Sequence, residues 1–305
     1  MKIAITTSSF GKFSRRPLEL LHEHGIEIIT NPHGRTLTRD EVVKLLQGCR
    51  AVAAGLEPLD AAALAALPEL EVISRCGVGV DSIDMAFAKE RGIKVFITKD
   101  APSLAVAELT LGYALNLARH VSEMDRALRA GSWKKTMGCL LAGKNAGIIG
   151  YGCIGRKVAA LFRAVGCKAA FYDPYVKEAD IPGMELDELL AWADCLTVHA
   201  PRPSGGGALL GGRELGLLKP GALVINAARG GLIDEAALYE GLKSGRLGGA
   251  ALDVFEDEPY SGPLTELPNV VLTPHIGSYA QEARAQMELE TVENLLSGLG
   301  LASRS

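Results

Sequence analysis

No apolar run in this chain approaches the roughly 20 residues needed to cross a bilayer, so a membrane-spanning helix is not expected. Nor is there an excess of basic residues: 32 Lys and Arg stand against 36 Asp and Glu, a net charge of −4. That balance, with no polybasic tract, argues against nucleic acid or an anionic membrane surface as a partner. The six cysteines (Cys49, Cys76, Cys139, Cys153, Cys167 and Cys195) are scattered, with no CxxC pair. They read as reduced cytoplasmic thiols, and no metal site is expected from them. The opening MKIAITTSSFGKF reads as a strand entering a loop and lacks a secretory h-region. No internal repeat or low-complexity tract interrupts the chain.

What is present is alternation. With 305 residues, 48% of them hydrophobic, the chain is long enough for two domains with separate cores. Residues 2–6, 27–29, 51–54, 71–75 and 94–97 read as short strands. Between them lie amphipathic stretches such as 39–47 and 82–91, the latter with Ile83, Phe87 and Ala88 on one face. A long helical pattern over 103–130 follows, bounded by Pro102 and Gly131, of a length that suits a connector. A second series then begins, with strands expected at 146–149, 168–172, 195–199, 222–226, 249–253 and 270–273 and a last helix over 279–296. Strand–helix alternation of this kind predicts an α/β fold with parallel sheets covered on both faces.

The segment AGIIGYGCIGRKVAALF places Gly150, Gly152 and Gly155 in GxGxxG spacing, directly after one expected strand and opening one expected helix. In that context the pattern is a dinucleotide fingerprint. Gly150 permits the tight turn, Gly152 lets the backbone approach a pyrophosphate, and Gly155 lets helix and strand pack closely. The helix N-terminus then offers unpaired N–H groups to the anion. Asp173, at the end of the next strand, can accept from the adenine-ribose hydroxyls and repel a 2′-phosphate, which favours NAD over NADP.

A nicotinamide cofactor exchanges hydride, so the chain must supply a proton donor or acceptor and a grip on the substrate. Arg229 in VINAARGG, Glu258 in LDVFEDEP and His275 in LTPHIGS each follow an expected strand, on the edge where open α/β sheets bind ligands. Each alone has an ordinary explanation, as a surface arginine, an acidic loop or a loop histidine. Together they divide the chemistry: Arg229 grips a carboxylate, His275 exchanges the hydroxyl proton, and Glu258 orients the ring and stabilises imidazolium.

These motifs, in order, resemble the D-isomer-specific 2-hydroxyacid dehydrogenases, most closely the short phosphoglycerate dehydrogenase-like branch. The resemblance rests on EVISRCGVGVDSIDM, AVAELTLGYALNLAR, GIIGYGCIG with YDP, VHAP, INAARGGLIDEAAL, ALDVFEDEP and TPHIG, and covers nearly the whole chain. It implies two Rossmann- or flavodoxin-like domains with an interdomain cleft. One is a discontinuous substrate-binding domain of residues 1–98 and 277–305, the other an NAD-binding domain of residues 99–276. It implies that Arg229, Glu258 and His275 are the catalytic Arg, Glu and His. Cys76, Gly77, Val78 and Gly79 match the loop whose N–H groups meet the substrate, with Arg75, Arg229 and His275 also on the substrate side. Asp81 matches a loop anchor. Cys153, Ile154, Ala200, Pro201, Ala227, Asp253 and Gly277 join Gly150, Gly152, Gly155 and Asp173 as cofactor positions. It also implies a homodimer formed through the cofactor domains.

The activity implied is NAD-dependent interconversion of a D-2-hydroxy acid and its 2-oxo acid. D-3-phosphoglycerate is the nominal substrate and glyoxylate, hydroxypyruvate or another 2-oxo acid the alternative. For a phosphate, Arg75, Lys12, Arg15, Arg16 and Lys99 are the candidate cations. An NAD-sensing corepressor-like binding protein is the non-enzyme alternative, disfavoured because Arg229, Glu258 and His275 are all present. Two departures stand out: Cys153 where the family often has a cation beside the pyrophosphate, and VHAPRPSGGGALL where threonines and a glutamate commonly follow the proline. With residue 305 as the last, the chain is expected to lack the C-terminal regulatory domain of longer members.

Overall fold

Each strand is a short, mostly apolar run, and each sheet is wholly parallel. The computed structural model describes residues 1–203 and 205–301. Five strands form the first sheet: β1 (Lys2–Ile5), β2 (Glu27–Thr30), β3 (Ala51–Ala54), β4 (Val72–Arg75) and β5 (Lys94–Ile97), in the order β2-β1-β3-β4-β5. Six form the second: β6 (Asn145–Ile149), β7 (Lys168–Tyr172), β8 (Cys195–Val198), β9 (Ala222–Asn226), β10 (Leu247–Leu252) and β11 (Val270–Leu272), in the order β11-β10-β9-β8-β6-β7. Phe171 of β7 also makes an isolated parallel bridge to Gly183. In both sheets the strand order reverses beside the first strand, which creates the switch point at which such sheets take ligands.

The chain separates into two compact units, Met1–Pro102 with the segment from Ser278 onward, and Ser103–Gly277. Because helices cover both faces of a parallel sheet, its inner strands are apolar throughout rather than alternating. Every residue of β3, β4 and β8 is buried. In the first unit, Ala4, Val52 and Ile73 join the core on one face, and Ile3, Ala53 and Val72 the core on the other. In the second unit, Ile149, Val224 and Leu252 pack on one side, and Ile148, Ile225 and Ala251 on the other. Successive residues of an inner strand thus enter opposite cores.

The long helix expected over 103–130 is two helices, Ser103–Arg119 and Val121–Arg129, with His120 between them in the left-handed region at φ 53°. Neither proline nor glycine breaks it. In an unbroken helix the Ser122 N–H would donate to the Ala118 carbonyl. Instead it donates to Asn116 Oδ1 at 2.9 Å, and the Ala118 carbonyl accepts from Cys139 N–H at 2.8 Å. A distant segment has taken the helix's acceptor. Among the described residues, no helix is long and apolar enough to cross a membrane.

Candidate active site

The turn between β6 and the helix Cys153–Ala164 is built from glycines for two different reasons. Gly150 has φ 90°, and a Cβ there would stand 2.5 Å from the His199 carbonyl. A Cβ on Gly155 would stand 2.0 Å from the Gly150 carbonyl, so the helix can sit on the strand only because none exists. Gly152, the N-cap, has nothing within 4 Å of its absent Cβ and no side chain capping the helix. Gly152 brings no side chain to the first-turn N–H groups, which suits an anion such as a pyrophosphate. Cys153, the first helical residue, is exposed, and Ile154 packs against the core.

At the end of β7, Asp173 Oδ2 accepts from Tyr151 N–H at 2.8 Å and Oδ1 from Tyr175 N–H at 2.9 Å. The carboxylate therefore ties the strand end to the glycine turn and keeps a lone pair on each oxygen for a diol. His199, at the end of β8 across the switch point, hydrogen-bonds Thr197 Oγ1 at 2.7 Å. Burial pushes its imidazole down to about 3, so it is neutral. Ala200 is half-buried, Pro201 exposed and Ala227 buried. These features fit a dinucleotide.

Arg229, Glu258 and His275 follow β9, β10 and β11, three adjacent strands in parallel register: Leu252 lies opposite both Asn226 and Leu272. All three side chains consequently leave the same sheet edge. Asn226 shapes the first turn, its Nδ2 donating to the Arg229 carbonyl at 2.9 Å and its Oδ1 accepting from Ala228 N–H at 3.1 Å. Arg229 Nη1 donates to the Ala228 carbonyl at 2.7 Å. The next residue, Gly230, lies so close to the β10 loop that a Cβ would stand 1.6 Å from the Phe255 carbonyl.

His275 Nδ1 lies 2.9 Å from Glu258 Oε2. An ionised carboxylate only accepts, so Nδ1 carries the hydrogen and Nε2 is left to exchange a proton. Burial would raise the Glu258 carboxyl. The hydrogen bond and charge of His275, the Phe255 N–H at 3.1 Å and the charge of Arg202 outweigh it and hold the group below its ordinary value. His275 itself has φ 56°, in the left-handed region that favours glycine. Asp253 fixes that turn. Its Oδ1 accepts from Ile276 N–H at 2.8 Å and from the Thr273 hydroxyl, and its Oδ2 from Gly277 N–H at 2.7 Å. Tyr113 adds its hydroxyl to Asp253 Oδ1 at 3.3 Å and to Thr273. The sequence reading places Asp253 and Gly277 on the cofactor. In the structure the buried Asp253 carboxylate holds the His275 turn, and Gly277 is one of its donors. Tyr113 and Thr273 carried no sequence signal, being distant in the chain from Asp253.

In the first unit, the β4 end turns sharply at Gly77, φ 151°. Arg75 is only 8% exposed, and it donates from Nε to the Gly79 carbonyl at 3.0 Å and from Nη1 to the Cys76 carbonyl. A Cβ on Gly77 would meet that guanidinium at 2.7 Å. Arg75 thus shapes the loop from beneath. No carbonyl among the described residues accepts from the amides of Val78 and Gly79. Of the other cations named from sequence, Arg16 pairs with Glu23 at 2.6 Å. Among the described residues, no group of three or more His, Cys, Asp or Glu side chains converges as a metal site would require.

One sheet edge thus holds a glycine-cradled helix N-terminus and a carboxylate-paired imidazole, the parts a dinucleotide-binding enzyme of the α/β class uses. Residues 111–277 match the family described as D-isomer specific 2-hydroxyacid dehydrogenase, NAD binding domain. A D-3-phosphoglycerate dehydrogenase of Archaeoglobus fulgidus is 37% identical over 299 residues, 94% of this chain and 56% of that protein. A hydroxypyruvate reductase of Thermotoga maritima is 38% identical over 291 residues, 92% of this chain and 94% of that protein. A crystal structure of a Thermus thermophilus protein superposes with a TM-score of 0.92 at 36% identity, covering 100% of this chain and 99% of that one. The chain belongs to the D-isomer-specific 2-hydroxyacid dehydrogenase family. It spans about half the length of several of the phosphoglycerate dehydrogenases it matches.

Proposed function

We propose that the protein is an NAD-dependent oxidoreductase that interconverts a D-2-hydroxy acid and its 2-oxo acid. The observation that carries this reading is the His275–Glu258 pair, 2.9 Å apart, on the sheet edge that also holds Arg229. Nicotinamide, when bound, supplies or takes the hydride. In reduction, His275 Nε2 gives a proton to the carbonyl oxygen; in oxidation it takes the hydroxyl proton. Glu258 remains a carboxylate throughout, fixing the tautomer and stabilising the charged ring. Arg229 holds the substrate carboxylate through its guanidinium. Gly150, Gly152, Cys153, Ile154 and Gly155 cradle the pyrophosphate, and Asp173 selects NAD. Ala200, Pro201, Ala227, Asp253 and Gly277 line the cofactor's path, and Asp253 with Gly277 also holds the His275 turn.

The first unit serves as the substrate-binding domain. Its Val78 and Gly79 amides are the donors for a carboxylate, on a loop shaped by Arg75 and Gly77. D-3-phosphoglycerate is the nominal substrate, with hydroxypyruvate and glyoxylate as alternatives; relatives named for the first two support both readings. The second unit pairs with a second copy of the chain, supported by its exposed apolar residues Trp133, Met137 and Leu140. We place the protein in the cytoplasm, where cysteines held as thiols suit a reducing medium.

The test is a panel of phosphorylated and unphosphorylated 2-oxo acids, followed by NADH consumption, with wild type and His275→Ala. The variant should bind NADH as wild type does and turn over none of the panel. Wild-type turnover in the variant rejects His275 as the acid–base residue.

A further inference from the structure

Arg202 leaves β8 on the loop where this chain departs from its family's usual pattern, and it reaches the turn that carries Arg229. Its Nε donates to the Gly230 carbonyl at 2.7 Å. Its guanidinium carbon lies 3.6 Å from the position a Cβ on Gly231 would take, so the planar group lies along the turn. Three things therefore hold the backbone around Arg229. Asn226 closes the turn from within, and the Phe255 backbone backs Gly230 at a distance only glycine permits. Arg202 grips the turn from a neighbouring strand's loop. The first two act by shape and proximity. The third is a charge-assisted bond from a side chain that nothing in the sheet requires.

We propose that Arg202 is a positioning residue: by fixing the Gly230 carbonyl it aims the Arg229 guanidinium at the substrate carboxylate. This rests on the reading of Arg229 as the carboxylate grip. Gly206 and Gly207 both have positive φ, and Gly206 N–H donates to the Pro203 carbonyl at 3.1 Å.

The experiment compares Arg202→Ala, Arg202→Gln and Arg229→Ala in the full chain. It uses the 2-oxo acid turned over fastest and measures NADH affinity separately by fluorescence. Glutamine places an amide N–H the same number of bonds from Cα as arginine's Nε, so it can still donate to Gly230 without the charge. Arg202→Ala should raise KM for the oxo acid roughly five- to tenfold, the usual worth of one such bond, with a smaller change in kcat. NADH affinity should stay within about twofold. Arg202→Gln should recover most of the loss. In an Arg229→Ala background, Arg202→Ala should add little, because the group it aims is gone.

An unchanged KM in Arg202→Ala overturns the proposal, as does a loss of NADH affinity that matches the rise in KM, or an undiminished effect without Arg229. If Arg229→Ala raises KM while Arg202→Ala does not, only the positioning role falls. If Arg229→Ala leaves KM untouched, the carboxylate grip itself is wrong and the positioning role falls with it.

Discussion

His275 stands in a backbone conformation that a residue with a Cβ rarely adopts, and Asp253 keeps it there. One buried carboxylate accepts from two successive amides, Ile276 and Gly277, and from the Thr273 hydroxyl. Burial and the neighbouring carboxylate push the Tyr113 phenol well above its ordinary value, so it stays a donor to this cluster. Asp253→Asn presents an NH2 group to at least one of those donors. We expect a stability loss of about 1–3 kcal/mol in denaturant titration, the usual cost of an unsatisfied buried group, and a fall in kcat larger than the rise in NADH Kd. Equal changes in both would give Asp253 its main role at the cofactor instead of the turn. Glu258 gives a pH test. Its folded pKa lies below its ordinary value, so its stabilising contribution is present above the unfolded pKa, roughly 4.3, and is lost as pH falls through the folded value. The melting temperature of wild type should exceed that of Glu258→Gln at neutral pH, and the gap should close in acid. A gap that widened in acid would contradict the ion-paired geometry. The placing of Arg229, Glu258 and His275 on one edge was legible because each follows a strand-like run, so that edge comes from the α/β pattern alone. Asp253's hold on the His275 turn was not, since its partners Tyr113 and Thr273 lie 140 and 20 residues away and only the folded sheet brings them together.

At the level of elements, the glycine turn before the helix Cys153–Ala164 separates folding from binding. Gly155→Ala puts a methyl 2.0 Å from the Gly150 carbonyl, whereas Gly152→Ala meets nothing within 4 Å. The first should lower the melting temperature sharply, because helix and strand must move apart. The second should leave it nearly unchanged and weaken NADH binding by roughly tenfold or more, because its methyl enters the space over the helix N-terminus. If Gly152→Ala bound NADH normally, the pyrophosphate would have to lie elsewhere. A second element-level test concerns the ends of β1 and β3, which Glu57 joins. Its carboxyl accepts from the Thr6 hydroxyl at 2.5 Å and from Gly55 N–H at 2.9 Å while almost wholly buried, and burial raises its pKa. A raised acid loses stability as pH climbs above the unfolded value, roughly 4.3. Glu57→Gln should therefore gain on wild type in melting temperature as pH rises from that point, and a gain that shrank with pH would refute the assignment. The sequence pattern announced both strands and the glycine turn. It could not announce the break at His120, because the residue that takes the Ala118 carbonyl is Cys139, beyond the reach of helical periodicity.

At the scale of the molecule, the second unit leaves a face that its own core does not use. The helix Val121–Arg129 contributes no buried residue, and Val121 and Leu128 are more than half exposed. The segment that follows holds Trp133 at 82%, Met137 at 93% and Leu140 at 69% exposure. This segment is nevertheless fixed to the chain. Cys139 N–H donates to the Ala118 carbonyl, and Gly138 packs against the same carbonyl so closely that a Cβ would stand 2.3 Å from it. A backbone held in place while its large apolar side chains face water is the arrangement expected of a surface that is covered in use. Trp and Met are also enriched at the centres of such interfaces. A second copy is the occupant we expect, since identical patches can cover one another about a two-fold axis. Wild type should therefore sediment as a dimer, and Trp133→Glu combined with Met137→Asp should sediment as a monomer. Because neither residue lies in the glycine turn or beside His275, the double variant should still bind NADH. A wild type that sediments as a monomer, or a double variant that stays dimeric, would remove this face from the interface.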